Sequence, residues 1–137
     1  MDLEKLLKAL DNEENENLMN FNSEKLKSLN YKILSELNLS DEETKILYDK
    51  LIDYKYVDEM SDLRYGSFIR WINISDPNNL KLSNGGIFFK FKITPNGTNL
   101  LCKLRTQLFN ISLDKNLIFQ KLTNQEKILL TALDHLS

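Results

Sequence analysis

The chain is poor in the residues that build metal centres and disulfides. Its 137 residues include one cysteine, Cys102, and one histidine, His135. A lone cysteine cannot form an internal disulfide, and a zinc site needs several Cys, His or carboxylate ligands at close spacing. No thiol adjoins His135 to build a catalytic triad. We therefore expect no metal, no cofactor and no catalytic residues, and interpret the chain as non-enzymatic.

Long apolar runs and glycine-rich phosphate loops are also missing. No stretch approaches the roughly 20 apolar residues that cross a bilayer, and the first 20 residues are too acidic for a secretory signal. We expect an intracellular protein that is not secreted and has no membrane partner. Ser83–Gly86 lacks the third glycine of a dinucleotide fingerprint and the Lys-Ser/Thr of a phosphate loop, so no small-molecule site is evident.

Charge is plentiful but unevenly distributed along the chain. Residues 1–60 hold 15 acids against 8 lysines, a balance of −7, whereas residues 61–122 hold 3 acids against 9 Lys or Arg, a balance of +6. The net charge of −2 conceals this segregation. It indicates either different partners for the two halves or one half docking on the other.

The acidic half has helical periodicity. Leucines from Leu3 to Leu10 predict a short helix, and the acidic stretch after it predicts a linker, so residues 1–22 form a leading segment. A second helix is predicted over 23–37 and a third from the capping box at Ser40 to about Lys55. Together they make a helical hairpin within residues 23–60. Five acids against three lysines between Asp41 and Lys55 argue against this third helix reading a DNA groove.

The basic half, residues 61–137, changes to the period of two that is typical of strands. Five short strands at close spacing predict an SH3-like barrel or a curled antiparallel sheet. The capping box Thr123 to Glu126 then opens a closing helix that we expect to pack on the sheet. The predicted fold class is therefore α+β.

One hairpin allows a prediction of register. Asn96-Gly97 is the strongest short hairpin signal, and placing these two residues at the centre of a type I′ turn fixes the pairs on either side. Three apolar pairs then share the inner face: Ile93 with Leu100, Phe91 with Cys102, and Phe89 with Leu104. The outer face receives Lys92 opposite Leu101, Lys90 opposite Lys103, and Phe88 opposite Arg105.

This outer face is the candidate site. Its predicted nucleic-acid-binding residues are Lys90, Lys92, Lys103, Arg105 and Phe88, with Arg70 and Trp71 from the first predicted strand. Three interpretations stay open: a solvated face kept soluble by lysine, a polyanion-binding face on which Phe88 stacks a base, or a face covered by acidic helices of this chain or a partner. Trp71 draws attention as a lone Trp near a loop, a common binding anchor.

A further indication comes from Leu63–Trp71, the Gly85-Gly86 pair that opens an aromatic strand, and Ile118–Lys121 before the closing helix. Over residues 63–137 this rhythm resembles short uncharacterised proteins of large and giant DNA viruses, and the Asn, Lys and Ile-rich composition is similar. The resemblance implies a virion or host-cytoplasm location and a role in genome handling or particle assembly. It brings no catalytic residues.

We predict a non-enzymatic binding module that uses the basic sheet face, most plausibly on nucleic acid. The alternative is a structural or assembly protein, such as a virion component or homo-oligomer, with the acidic helices as its protein contact surface.

Overall fold

A computed structural model describes residues 4–5 and 22–136 of the chain. Glu4 and Lys5 are helical. The rest of the predicted leading helix and the acidic linker lie outside the described residues. The described chain divides into two compact units, a helical unit of residues 22–53 and 122–136 and a sheet unit of residues 54–121.

The helical unit consists of three helices. They are α1 (Ser23–Ser35), α2 (Asp41–Lys50) and α3 (Asn124–Leu136). Their buried leucines form the interior of the unit, and one cluster joins Leu26 of α1 to Leu122 and Leu130 at the end of the chain. The last helix is therefore packed together with α1.

Side-chain caps fix where each helix begins. Asn22 accepts a hydrogen bond from the Lys25 amide at 2.8 Å at the start of α1, and Ser40 accepts one from the Glu43 amide at 3.1 Å at the start of α2. Before α3, Thr123 and Glu126 exchange reciprocal bonds, and Glu126 is only 2% exposed. Caps of this kind satisfy amides that have no partner within the helix. The predicted capping box at Thr123 and Glu126 is confirmed. At Ser40 the predicted hydroxyl cap is confirmed, and the Glu43 carboxylate accepts from the Ser40 hydroxyl at 3.1 Å.

The sheet unit has six strands, all of them antiparallel to their neighbours. They are β1 (Tyr54–Val57), β2 (Phe68–Asn73), β3 (Gly86–Thr94), β4 (Gly97–Leu104), β5 (Gln107–Ser112) and β6 (Asn116–Lys121). The order across the sheet is β1-β6-β2-β3-β4-β5. The α+β class and the antiparallel sheet are confirmed. The predicted number of five strands is wrong, because β1 is an additional strand, and the barrel alternative is wrong because β1 does not pair with β5 to close the sheet.

A core cluster of the sheet unit lies against one face of the sheet. It includes Ile69, Phe88, Leu100, Cys102 and Ile118, each at most 1% exposed. The segment before β2 is fastened to this face by the buried carboxamide of Gln120. Its Oε1 accepts from the Arg64 amide at 2.9 Å and the Ser67 hydroxyl at 2.7 Å, and its Nε2 donates to the Asp62 carbonyl at 2.8 Å.

Candidate nucleic-acid interface

The turn between β3 and β4 lies at Pro95-Asn96. Thr94 pairs with Gly97, and the Thr94 hydroxyl donates to the Gly97 carbonyl at 2.8 Å. The predicted turn at Asn96-Gly97 is therefore wrong. It required Pro95 to serve as a ladder residue, whereas proline has no N–H to donate and its fixed φ suits the second position of a tight turn. Gly97 follows with a φ of +133°.

The shifted turn changes the predicted partners without changing the faces. Phe91 lies opposite Leu100, Lys92 opposite Asn99 and Lys90 opposite Leu101, so each of these β3 residues meets a β4 residue two positions away from the predicted one. Because side chains alternate with a period of two, a shift of two positions keeps the side chains of Lys90 to Ile93 on their predicted faces.

Lys90, Lys92 and Lys103 consequently share one face of the sheet, as predicted. Lys103 follows Leu101 by two residues on β4, so it lies on the side of Leu101 and its partner Lys90. All three lysines are exposed. We call this side of β3, β4 and β5 the basic face. Lys90 and Lys103 are offset along the strands, so the predicted direct opposition of these like charges does not occur.

A β-bulge in β3 exchanges the predicted positions of two neighbouring phenylalanines. Phe88 pairs with Cys102 and Lys90 pairs with Leu101, so β3 contains one extra residue at this point. Phe88 lies in the core with no exposed surface, and Phe89 is 43% exposed. The assignment of Phe88 to the outer face as a stacking plane is therefore wrong, and so is the assignment of Phe89 to the core.

Phe88 is held in the core by its ring and its backbone. Its ring stacks on Tyr65 with a centroid separation of 5.4 Å and meets the edge of Phe91 at 4.7 Å. Its amide donates to the Ser67 carbonyl at 2.9 Å, and its carbonyl accepts from the Gly66 amide at 2.7 Å. The bulge thus buries one aromatic ring and leaves the next available at the surface.

Exposed Phe89 belongs to a shallow groove of about 530 Å³, which we call the Phe89 groove. It is lined by Ile87, Phe89, Lys103, Arg105 and Leu108. Ile87 is 48% exposed and Leu108 is 67% exposed, so three apolar side chains form an accessible floor beside two cations. Sequence reasoning missed Ile87, Phe89 and Leu108 as site residues. The signal in the sequence was the doublet Phe88-Phe89, because adjacent strand residues point to opposite faces and one of the two rings must therefore lie outside the core.

Arg105 lies in the turn that joins β4 to β5. Leu104 pairs with Gln107, leaving Arg105 and Thr106 as the connecting residues. The predicted strand position of Arg105 opposite Phe88 is therefore wrong. Arg105 has a φ of +57°, the left-handed region that costs a non-glycine residue on the order of 1 kcal/mol or more. This turn brings the Arg105 side chain to the Phe89 groove.

Arg70 and Trp71 lie on opposite faces, because adjacent strand residues alternate. Arg70 is two residues from Phe68, the partner of Ile87, and so shares the basic face; its Nε donates to the Ser83 carbonyl at 2.9 Å. Trp71 packs against the core and meets Phe109 at 5.4 Å. Trp71 therefore does not belong to the basic face.

The electrostatic character of the basic face is uncompensated. Within residues 4–5 and 22–136, no acidic side chain forms an ion pair with Lys90, Lys92, Lys103 or Arg105. Between Gly86 and Ser112 the sequence contains no Asp or Glu. Charges in such an arrangement add to one another and attract anions.

The remaining chemistry of the described chain is sparse. Cys102 is fully buried, as predicted, and desolvation raises the pKa of its thiol to about 12, which leaves no thiolate nucleophile at neutral pH. The described residues contain no group of three or more His, Cys, Asp or Glu side chains placed to hold a metal ion. None of the helices in the described part of the chain combines the length and apolar character required to cross a bilayer.

Comparison with known proteins adds no identity to this geometry. Protein families, curated proteins and solved structures all give no match to the chain.

Proposed function

We propose that the chain is a non-enzymatic binding module that binds nucleic acid through the basic face. The single observation that carries this proposal is the grouping of Lys90, Lys92, Lys103 and Arg105 beside an exposed aromatic ring, Phe89. The setting that the viral resemblance implies, genome handling, belongs to the same proposal.

The charge distribution supports a polyanionic partner. The sheet unit has ten Lys or Arg against five Asp or Glu, and none of the five acids falls between Gly86 and Ser112. The surfaces of soluble proteins usually carry interspersed charges of both signs, whereas these 27 residues carry no acid. Binding to phosphates, by contrast, is driven by the release of counterions, and each Lys or Arg that contacts a phosphate adds to this contribution to the affinity.

Salt titration tests the proposal. A fluorescently labelled 20-nucleotide strand and the matching duplex are titrated with the protein at 50 mM and at 200 mM salt. Four phosphate contacts predict a loss of affinity of about 100-fold over this range. Lys90→Glu combined with Lys103→Glu should lower affinity at 50 mM salt by at least about 30-fold, because it replaces two attractive charges with repulsive ones.

A matched control separates local contacts from net charge. Lys81→Glu combined with Lys115→Glu makes the same change in net charge at two exposed lysines that lie outside β3, β4 and β5. This variant should retain most of the affinity. Equal losses in the two double variants, or no binding at 50 mM salt, would refute binding through the basic face.

A structural or assembly role is the second candidate, and one observation favours it. The helical unit exposes large apolar side chains, among them Tyr31 at 48%, Ile46 at 47% and Ile52 at 54%. α2 also begins with three consecutive acids, Asp41, Glu42 and Glu43. This candidate predicts a salt-insensitive oligomer in sedimentation experiments and no affinity for nucleic acid.

A further inference from the structure

We infer that the Phe89 groove takes an unpaired nucleobase, so that the ligand of the basic face is single-stranded nucleic acid. This inference rests on the proposed function and extends it from phosphate attraction to a specific base-binding position. The groove fits one kind of ligand, a flat aromatic ring attached to an anionic backbone.

The floor of the groove is suited to a base. The bulge that buries Phe88 turns Phe89 outward, and Ile87 and Leu108 lie on the same side of the sheet. Ile87 and Leu108 both lie opposite Lys103, on the strands at either side of it. An apolar surface bearing an accessible phenyl ring favours stacking with any of the bases, because every base has a π face.

The walls of the groove are suited to the backbone that carries the base. Lys103 and Arg105 line the groove together with the apolar residues, and the acid-free stretch from Gly86 to Ser112 leaves their charge unopposed. An Arg guanidinium and a Lys ammonium beside an aromatic platform are the combination with which proteins track single strands.

A duplex cannot use this combination. In a duplex the faces of the bases are stacked on one another, so a protein reaches the phosphates, the sugars and the base edges but cannot stack a ring on a base. The cations of the basic face would attract a duplex, but Phe89, Ile87 and Leu108 would contribute nothing to its affinity. Preference for single strands therefore follows from the position of Phe89.

The test uses the full chain and three labelled 15-mers: oligothymidine, the same strand with abasic sites throughout, and a duplex. The abasic strand keeps the phosphates and removes the bases. The wild-type protein should bind oligothymidine at least about tenfold more tightly than the abasic strand, given the usual contribution of one stacked base. It should also prefer oligothymidine to the duplex.

Variants at position 89 identify the stacking ring. Phe89→Leu keeps an apolar side chain and removes the π face, so it should lower the affinity for oligothymidine to that for the abasic strand. Phe89→Tyr keeps the ring and should retain the preference. Ile93→Ala, which truncates another exposed apolar residue of β3, should have no effect. Unfolding midpoints of all variants establish that each is folded.

The outcomes separate this inference from the proposed function. If all three 15-mers bind equally, with the salt dependence and lysine dependence intact, the inference fails and the proposed function stands. If no 15-mer binds at 50 mM salt, both fail. If Phe89→Leu leaves the preference for oligothymidine unchanged, the base lies elsewhere and the inference is overturned.

Discussion

Asp134, near the end of α3, accepts two hydrogen bonds from Ser23, which lies 111 residues earlier at the start of α1. The Ser23 amide donates to Oδ1 at 2.7 Å and the Ser23 hydroxyl donates to Oδ2 at 2.6 Å. The carboxylate thus lies at the N-terminus of a helix, where the helix dipole favours negative charge. α3 and α1 are joined by this contact.

The Asp134 contact predicts a dependence of stability on acid. The hydroxyl bond first, and the amide bond second, lower the pKa of Asp134 below its usual value of 3.8. A carboxyl group whose pKa is lowered in the folded protein stabilises the fold at any pH above the pKa that it has in the unfolded chain. This stabilisation is lost as the pH falls below about 3.8 toward the pKa of the folded state. Asp134→Asn should cost less than about 1 kcal/mol at pH 7, because the group is exposed.

Urea denaturation at pH 7 and at pH 3 measures this contribution. The difference in unfolding free energy between the wild type and Asp134→Asn should be largest at pH 7 and should shrink at pH 3. Ser23→Ala, which removes the hydroxyl donor and keeps the amide donor, should have a smaller effect. A difference that grows on acidification would contradict the assignment.

The bulge in β3 predicts unequal costs for two neighbouring substitutions. Phe88→Ala empties a fully buried position and should cost about 3–5 kcal/mol of unfolding free energy. Phe89→Ala truncates a ring that is 43% exposed and should cost about 1 kcal/mol or less. Chemical denaturation of the two variants measures both values. Equal costs, or the opposite order, would place the extra residue of β3 elsewhere.

Gly85 and Gly66 predict a second unequal pair. Both have positive φ values, +92° and +85°, so an alanine at either position is strained by about 1 kcal/mol. At Gly85 the added Cβ would also lie 2.6 Å from the Ile69 carbonyl oxygen and from a ring carbon of Phe68, whereas at Gly66 nothing lies within 4 Å.

Gly85→Ala should therefore destabilise the protein by about 3 kcal/mol or more and Gly66→Ala by about 1 kcal/mol, measured by thermal or urea unfolding. Gly66→Ala serves as the control for backbone strain alone. A Gly85→Ala variant no less stable than Gly66→Ala would contradict the prediction, because it would mean that β2 moves at Phe68 to make room for the Cβ without loss of unfolding free energy.

Local signals predicted the helical elements well. The spacing of leucines and the two capping boxes act within a few residues, so the starts of α1, α2 and α3 could be placed from the sequence. β1 was missed, and its first residues were assigned to the end of α2. Among the described residues β1 pairs with β6 alone, whose residues lie about 60 positions later. A pattern within β1 cannot predict a partner so far away in the sequence.

The basic face was predicted more accurately than the pairs that build it. The lysines kept their face because the misplaced turn moved the register by an even number of residues. The aromatic residue was misassigned because a bulge depends on how two strands pack, which alternation within one strand cannot reveal. Pro95 alone could have corrected the turn, since it cannot donate to a ladder.

The position of β6 in the sheet has a consequence for how the protein is made. β6 lies between β1 and β2, although it follows both in the chain. On the ribosome, β1 and β2 are synthesised long before β6. Neither strand can pair fully with β6 until Lys121 has been synthesised. This side of the sheet therefore forms only through contacts between residues far apart in the chain, which is typical of slow folding. A chain released before β6 is complete would expose unpaired strands and would be prone to aggregation.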